Sequence, residues 1–229
     1  MVIPKDVVGI ALSVAYVGAA IGASELIRRR RGYGDEFTRK IVHVAVGLWI
    51  IPTLLLFTNA FWAALLPACA VVGNALSLKY NILRSIERGD RKDLGTVYFA
   101  ASFVICIVGF FHSDFPVAAA AGIMPMALGD AAASIVGRSY GRHAYTFLGA
   151  KKTAEGSAAM FVVSLAAVFG TLILFGTPAK TAAAGALAVA SVATLLEAAG
   201  KNGLDNLTVP VVSSIAAFVL LKAMEGAPI

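Results

Sequence analysis

The residue most in need of explanation is Asp130, a carboxylate inside the apolar run Ala127-Leu128-Gly129-Asp130-Ala131-Ala132-Ala133-Ser134. Placing an acid near the centre of a membrane span costs about 2.5–3.5 kcal/mol. Its run ends some seven residues later, which puts it roughly 10 Å below the surface at 1.5 Å per residue. Ser134 and Gly137 follow at i+4 and i+7, so a polar stripe climbs from Asp130 towards the next loop. Other polar groups sit at the same depth. Glu25 and Glu197 lie near the ends of their apolar runs. Lys40, His43 and Gly47 share a helical face at i, i+3 and i+7, and with Arg39 they suggest an anion pocket. Asp205 and Asn206 open the last run, either as a helix cap or as ligands. The segment 137–157 carries Arg138, Arg142, Lys151 and Lys152, with glycines at 137, 141, 149 and 156 that let backbone approach a ligand closely. It runs into a predicted helix start with Thr153 as N-cap, and a helix N-terminus favours phosphate. Lys151, Lys152, that helix start and Asp130 together predict a polyphosphate and metal site. Glu155 either holds Mg²⁺ or simply favours the helix dipole. No GxxxxGK[ST] pattern occurs, so this is not a P-loop.

The elements that must position these groups are membrane helices. The 229 residues are 59% hydrophobic and 14% charged, with a mean hydropathy of +0.83, far from the 45–50% and 25% of soluble domains. About 20 apolar residues make a span, and eight are predicted: about 6–27, 41–58, 60–78, 94–111, 116–137, 156–175, 179–199 and 207–224; the alternative is seven, with one short segment re-entrant. The expected fold class is an all-α, polytopic integral membrane helix bundle, a single transmembrane domain over 1–229 with cytoplasmic active-site loops. The run 7–27 is longer than the apolar core of a signal peptide, and its small residues precede the arginines, so cleavage is not expected. Stretches rich in Ala and Gly at 117–133, 158–167 and 182–193 suit close helix packing in lipid. Cys69 and Cys106 both fall in apolar runs, without zinc or disulfide spacing, and are expected to be buried thiols.

Basic residues set the expected topology. Loops 28–40, 79–93 and 138–155, with Lys201, hold sixteen of the nineteen Lys and Arg residues. Positive loops stay cytoplasmic, so both termini are expected outside and the polar loops inside. The net charge of +6 is then a matter of topology, and no nucleic-acid partner is implied. The arginines 28–31 are expected to anchor at lipid headgroups. Nothing in the sequence speaks to oligomeric state.

Four motifs in order carry a resemblance. They are Arg-Lys-Ile-Val-His at 39–43, Leu-Gly-Asp-Ala-Ala-Ala-Ser-Ile-Val-Gly-Arg at 128–138, Lys-Lys-Thr-Ala-Glu-Gly-Ser at 151–157, and Glu197 followed by Leu-Asp-Asn-Leu-Thr-Val-Pro at 204–210. Together they resemble the CTP-dependent lipid-alcohol kinases: dolichol kinase, phytol kinase and the yeast-type diacylglycerol kinase. The resemblance covers about residues 36–215, and the short chain looks more like the phytol kinase and prokaryotic members. It implies transfer of the γ-phosphoryl group of CTP to the hydroxyl of an isoprenoid lipid alcohol, with Mg²⁺. The candidate catalytic groups are then Asp130, Lys152, Lys40 and His43. Arg39, Gly137, Arg138, Gly141, Arg142, Lys151, Thr153, Gly156 and Ser157 would bind nucleotide. Asp130, Glu155, Glu197, Asp205 and Asn206 are candidate metal ligands. Asp130 either holds the metal or accepts the alcohol proton. The implied partners are a lipid alcohol, a nucleotide and membrane lipids. Two other readings compete. One is a CTP-using lipid cytidylyltransferase, although its C-terminal Asp-Arg-x-Asp signature is missing. The other is a small transporter, which would spread polar residues through the full membrane depth.

Overall fold

The computed structural model describes residues 4–31, 35–80 and 94–225. The basic residues Arg84, Arg88, Arg91 and Lys92 of the topology argument lie outside them. The described chain is helical almost throughout: α1 (Lys5–Arg31), α2 (Asp35–Leu48), α3 (Ile50–Leu56), α4 (Ala60–Tyr80), α5 (Gly95–Phe110), α6 (Val117–Met124), α7 (Asp130–Tyr140), α8 (Ala154–Leu174), α9 (Ala179–Ala199) and α10 (Asp205–Glu225). Seven helical segments are long and apolar enough to cross a bilayer. The fourth predicted span, 94–111, is present as α5 with 16 residues. At 1.5 Å per residue that is about 24 Å, short of the roughly 30 Å hydrocarbon core.

Two spans carry defects with local causes. The second is interrupted at Trp49, because Pro52 has no N–H to return to the Leu48 carbonyl; α3 then resumes with the Thr53 amide donating to Trp49 O at 3.0 Å. The fifth runs continuously over Val117–Tyr140, but α6 and α7 are joined by a π-helical turn at Pro125–Gly129. Pro125 lacks a donor and crowds the turn before it, and the Asp130 amide donates five residues back, to Pro125 O. Such turns recur at functional sites. Here the turn ends on the one acid of that span.

α6 is the axis of the bundle. All eight of its residues are buried, with α10, α8 and α5 packed around it. Small side chains make this possible. A Cβ on Gly122 would meet Ser214 and the Pro210 carbonyl of α10, and one on Gly129 would meet Met160 Sδ of α8 at 2.7 Å. Lipid offers no hydrophobic gain for helix association, so such close backbone approach supplies the packing. Cys106 is buried as expected, whereas Cys69 is exposed on α4: that helix packs mainly on α5, and an apolar run does not tell which of its faces meets lipid.

The segment between α7 and α8, predicted as a loop, contains a two-stranded antiparallel hairpin. β1 (Ala144–Phe147) pairs with β2 (Ala150–Thr153), with Tyr145 opposite Lys152. Its two-residue turn puts Leu148 at φ 46° and Gly149 at φ 76°, the positive values that a type I′ turn requires. The strand pair feeds Lys151 and Lys152 straight into α8.

The packing of α6 on α10 makes a measurable prediction. Gly122→Val should lower stability in detergent by about 2–3 kcal/mol, since the obstacle is largely backbone. Gly73→Ala, where nothing lies within 4 Å, should be neutral or stabilising. Equal thermal midpoints for the two variants would contradict this packing.

Candidate active site

One end of the bundle holds a cavity of about 400 Å³, within the size range of ligand pockets. Its wall comes from α2 (Lys40), α7 (Asp130, Ala133, Ser134, Gly137, Arg138), the hairpin (Ala144, Lys151, Lys152), the start of α8 (Thr153, Gly156, Ser157), and the α9–α10 junction (Glu197, Gly200, Lys201, Asn202, Gly203, Asp205). Five cations and three carboxylates face it, an excess of two positive charges.

The local geometry follows from small residues and caps. Thr153 is the N-cap of α8, its hydroxyl accepting from the Gly156 amide at 3.2 Å. A Cβ on Gly137 would sit 3.0 Å from Thr153 Oγ1, and one on Gly156 would sit 3.0 Å from the Ala133 carbonyl. These glycines therefore let α7 and the α8 N-terminus meet at the cavity floor. Tyr145 Oη lies 2.6 Å from Ser157 Oγ and ties the hairpin to α8. On the far wall, Asn202 and Gly203 both have positive φ, which turns the chain sharply from α9 into α10.

Two ion pairs organise the charge. Lys40 donates to Asp130 across α2 and α7, and both side chains are about a tenth exposed. Lys152 donates to Glu197 across the hairpin and α9, with Glu197 nearly inaccessible. A carboxylate at this depth without a cation would be strongly unfavourable. Arg138 Nη2 donates to Ser134 Oγ at 2.6 Å on the same stripe as Asp130. Lys151 and Lys201 carry no carboxylate partner among the described residues, and the Lys201 side chain reaches over Gly149 at the hairpin turn.

The cavity thus gathers Asp130, Lys40, Lys152, Gly137, Arg138, Lys151, Thr153, Gly156, Ser157, Glu197 and Asp205 from the sequence-derived candidates. The others do not line it, although His43 and Arg39 lie close enough to act electrostatically on the Asp130 carboxylate. His43 is buried and stacked on Phe99, with centroids 4.1 Å apart, and lines a second, apolar cavity. One helical face thus divides between two cavities. Arg39 is buried next to Lys40 without lining the polar cavity. Gly141 packs on Thr153 and Arg142 is exposed. Glu155 turns away: its carboxylate lies 2.6 Å from His143 Nδ1 and clamps the segment leading into the hairpin. Asn206 donates to Gly95 O at 3.0 Å and joins α10 to α5. Lys201 was visible only as a basic residue between Glu197 and Asp205, and the flanking acids were the signal that it belonged here.

Among the described residues no three His, Cys, Asp or Glu side chains cluster closely enough to cage an ion. Asp130, Glu197 and Asp205 are spread around the wall. That donor set fits Mg²⁺, which takes one or two carboxylates and completes its shell with water and substrate phosphates.

Fold and cavity define a polytopic membrane protein with a cation-rich pocket at one end of its bundle. Comparison with known proteins gives the class its chemistry. The chain is 35% identical over 213 residues to the phytol kinase of Synechocystis, covering 92% of this chain and 91% of that one. It is 29% identical to probable phytol kinase 1 of Oryza sativa, over 94% of this chain and 74% of that one. It is 25% identical to farnesol kinase of Arabidopsis thaliana, over 94% and 76%. No protein-family profile matches, and neither does any solved structure. The chain belongs to the lipid-alcohol kinase family of phytol kinase and farnesol kinase, and is a phosphotransferase acting on an alcohol.

The buried Lys40–Asp130 pair can be tested by its stability. Lys40→Met should destabilise by about 3 kcal/mol, because it strands a buried carboxylate. Adding Asp130→Leu should recover most of that loss in a double-mutant cycle. Additive losses would mean that the two side chains do not interact.

Proposed function

We propose that the protein transfers the γ-phosphoryl group of CTP to the hydroxyl of a phytol-like isoprenoid alcohol, with Mg²⁺, at the cytoplasmic face of the membrane. The observation that carries this reading is the meeting, in one cavity, of five cations, the capped start of α8 and the intramembrane carboxylate Asp130. Phosphoryl transfer needs charge neutralisation and in-line positioning more than covalent chemistry. Lys151, Lys152, Arg138 and Lys201 supply the first to the triphosphate. The glycine contacts at 137 and 156 bring backbone close enough to supply the second. Glu197 and Asp205 would hold Mg²⁺, which would supply further charge neutralisation to the nucleotide.

The acceptor side is Asp130 and Lys40. The hydroxyl oxygen forms a bond to the γ-phosphorus, the bond from that phosphorus to the bridging oxygen breaks, and CDP leaves. Asp130 would orient the hydroxyl and take its proton, with Lys40 steadying the carboxylate. Orientation follows from charge. Arg28, Arg138, Lys151 and Lys201 crowd the cavity end, while Asp6, Asp114 and Lys222 mark the other. The positive-inside bias then supports a cytoplasmic cavity. The phytol and farnesol named for the relatives support an isoprenoid acceptor, and the choice of CTP rests on the motif resemblance.

The direct test is purified protein in lipid with Mg²⁺, γ-labelled CTP and a series of alcohols. Label should move to phytol with release of CDP. Label released as pyrophosphate, with a cytidyl group joined to a phospholipid acid, would instead make the protein a cytidylyltransferase. Lys152→Ala should weaken CTP binding at least about tenfold, the equivalent of one charge-assisted hydrogen bond. Unchanged affinity would remove the hairpin from the phosphate site.

A further inference from the structure

We propose that the isoprenoid chain lies in an open groove between α2 and α7, reaches the site sideways from the bilayer, and is read only over the part nearest its hydroxyl. This rests on the kinase reading and adds where the acceptor binds and what limits its specificity.

Two apolar spaces could hold a prenyl chain. The first, of about 140 Å³, is the cavity under His43, lined from α1 to α5, and it shares no lining residue with the polar cavity. The second is a groove of about 710 Å³, walled by Ile41, Val44 and Leu48 on α2 and by Ala131 and Ile135 on α7. Lys40, Ser134 and Arg138 line both this groove and the polar cavity. The two spaces therefore meet at a polar seam beside the Lys40–Asp130 pair. An amphiphile with one hydroxyl fits that junction: its head reaches the seam and its tail lies along the apolar wall.

The length of the groove sets what is measured. From Lys40 to Leu48 is eight residues of α2, about 12 Å. Leu48 and Ile135 are 38% and 54% exposed, so the groove opens onto lipid rather than closing on a chain end. The protein grips the isoprene units next to the hydroxyl and leaves the rest in the bilayer, where it costs nothing to extend. Long isoprenoid alcohols of different length should then be used with similar kcat/KM, while bulk next to the hydroxyl should be rejected.

The test is photolabelling in lipid with an isoprenoid alcohol carrying a diazirine on its second isoprene unit, which reports binding with or without turnover. Label competed by unmodified phytol should fall on residues 41–48 and 131–139, and Val44→Trp or Ile135→Trp should cut it at least fivefold without changing CTP affinity. Ala70→Phe, which fills the cavity under His43, should leave it unchanged. Competed label on α4 or α5, loss of label in Ala70→Phe, or absence of any competed label would overturn the groove. Label in the groove without transfer from CTP would sink the kinase reading and leave the groove standing.

Discussion

The arrangement depends on one buried contact, the ion pair of Lys40 and Asp130. A lone carboxylate at that depth would shed its charge or pull the helix out of register, because neither lipid nor packed alanine can solvate it. The pair joins residues 90 positions apart and fixes α2 against α7 at the level where the polar cavity begins. The π-helical turn at Pro125–Gly129 ends at that point, so the backbone irregularity and the charge occur together. α6, wholly buried, leads into that turn, so the carboxylate at the start of α7 follows directly on the most enclosed element of the bundle.

A second pair, Lys152 with Glu197, does the same for the opposite wall. Each joins a cation on one element to an acid on another, and the cavity lies between them. Paired charges keep a site intact when it holds no ligand. Lys151 and Lys201, which have no acid partner among the described residues, are exposed to water. Catalytic power in such a site comes from preorganised charge in a place that excludes water. The polar cavity and the α2–α7 groove share a border of only three residues, which suits one water-soluble and one lipid-soluble substrate meeting across it.

Much of this was legible in the sequence because a membrane punishes exceptions. The spans follow from apolar runs and their breakers. Asp130 stood out because alanine and leucine surround it, and Ser134 and Gly137 followed by helical period. The α8 cap was readable at Thr153. Other parts had no local signal. The hairpin was missed because its turn is Leu148-Gly149 rather than Asn-Gly, and a leucine at positive φ is uncommon. The π-helical turn was missed because one proline in an apolar run marks a disturbance without saying which way the backbone adjusts. His43 and Glu155 read as site residues by proximity in sequence. In the fold, stacking on Phe99 takes the first into another cavity and the contact with His143 turns the second outward. Lys201 is flanked in sequence by Glu197 and Asp205, but its reach over Gly149 depends on the hairpin turn.

In the proposed reaction, phosphoryl transfer takes place at the intramembrane carboxylate. The most direct measurement is the rate of label transfer from CTP to phytol by purified Asp130→Asn protein, alongside its CTP affinity and thermal midpoint. The rate should fall by at least about 10²-fold, the scale of a lost general base, while the variant stays inserted, folded and able to bind nucleotide. Transfer at the wild-type rate would contradict the account and move the chemistry away from Asp130.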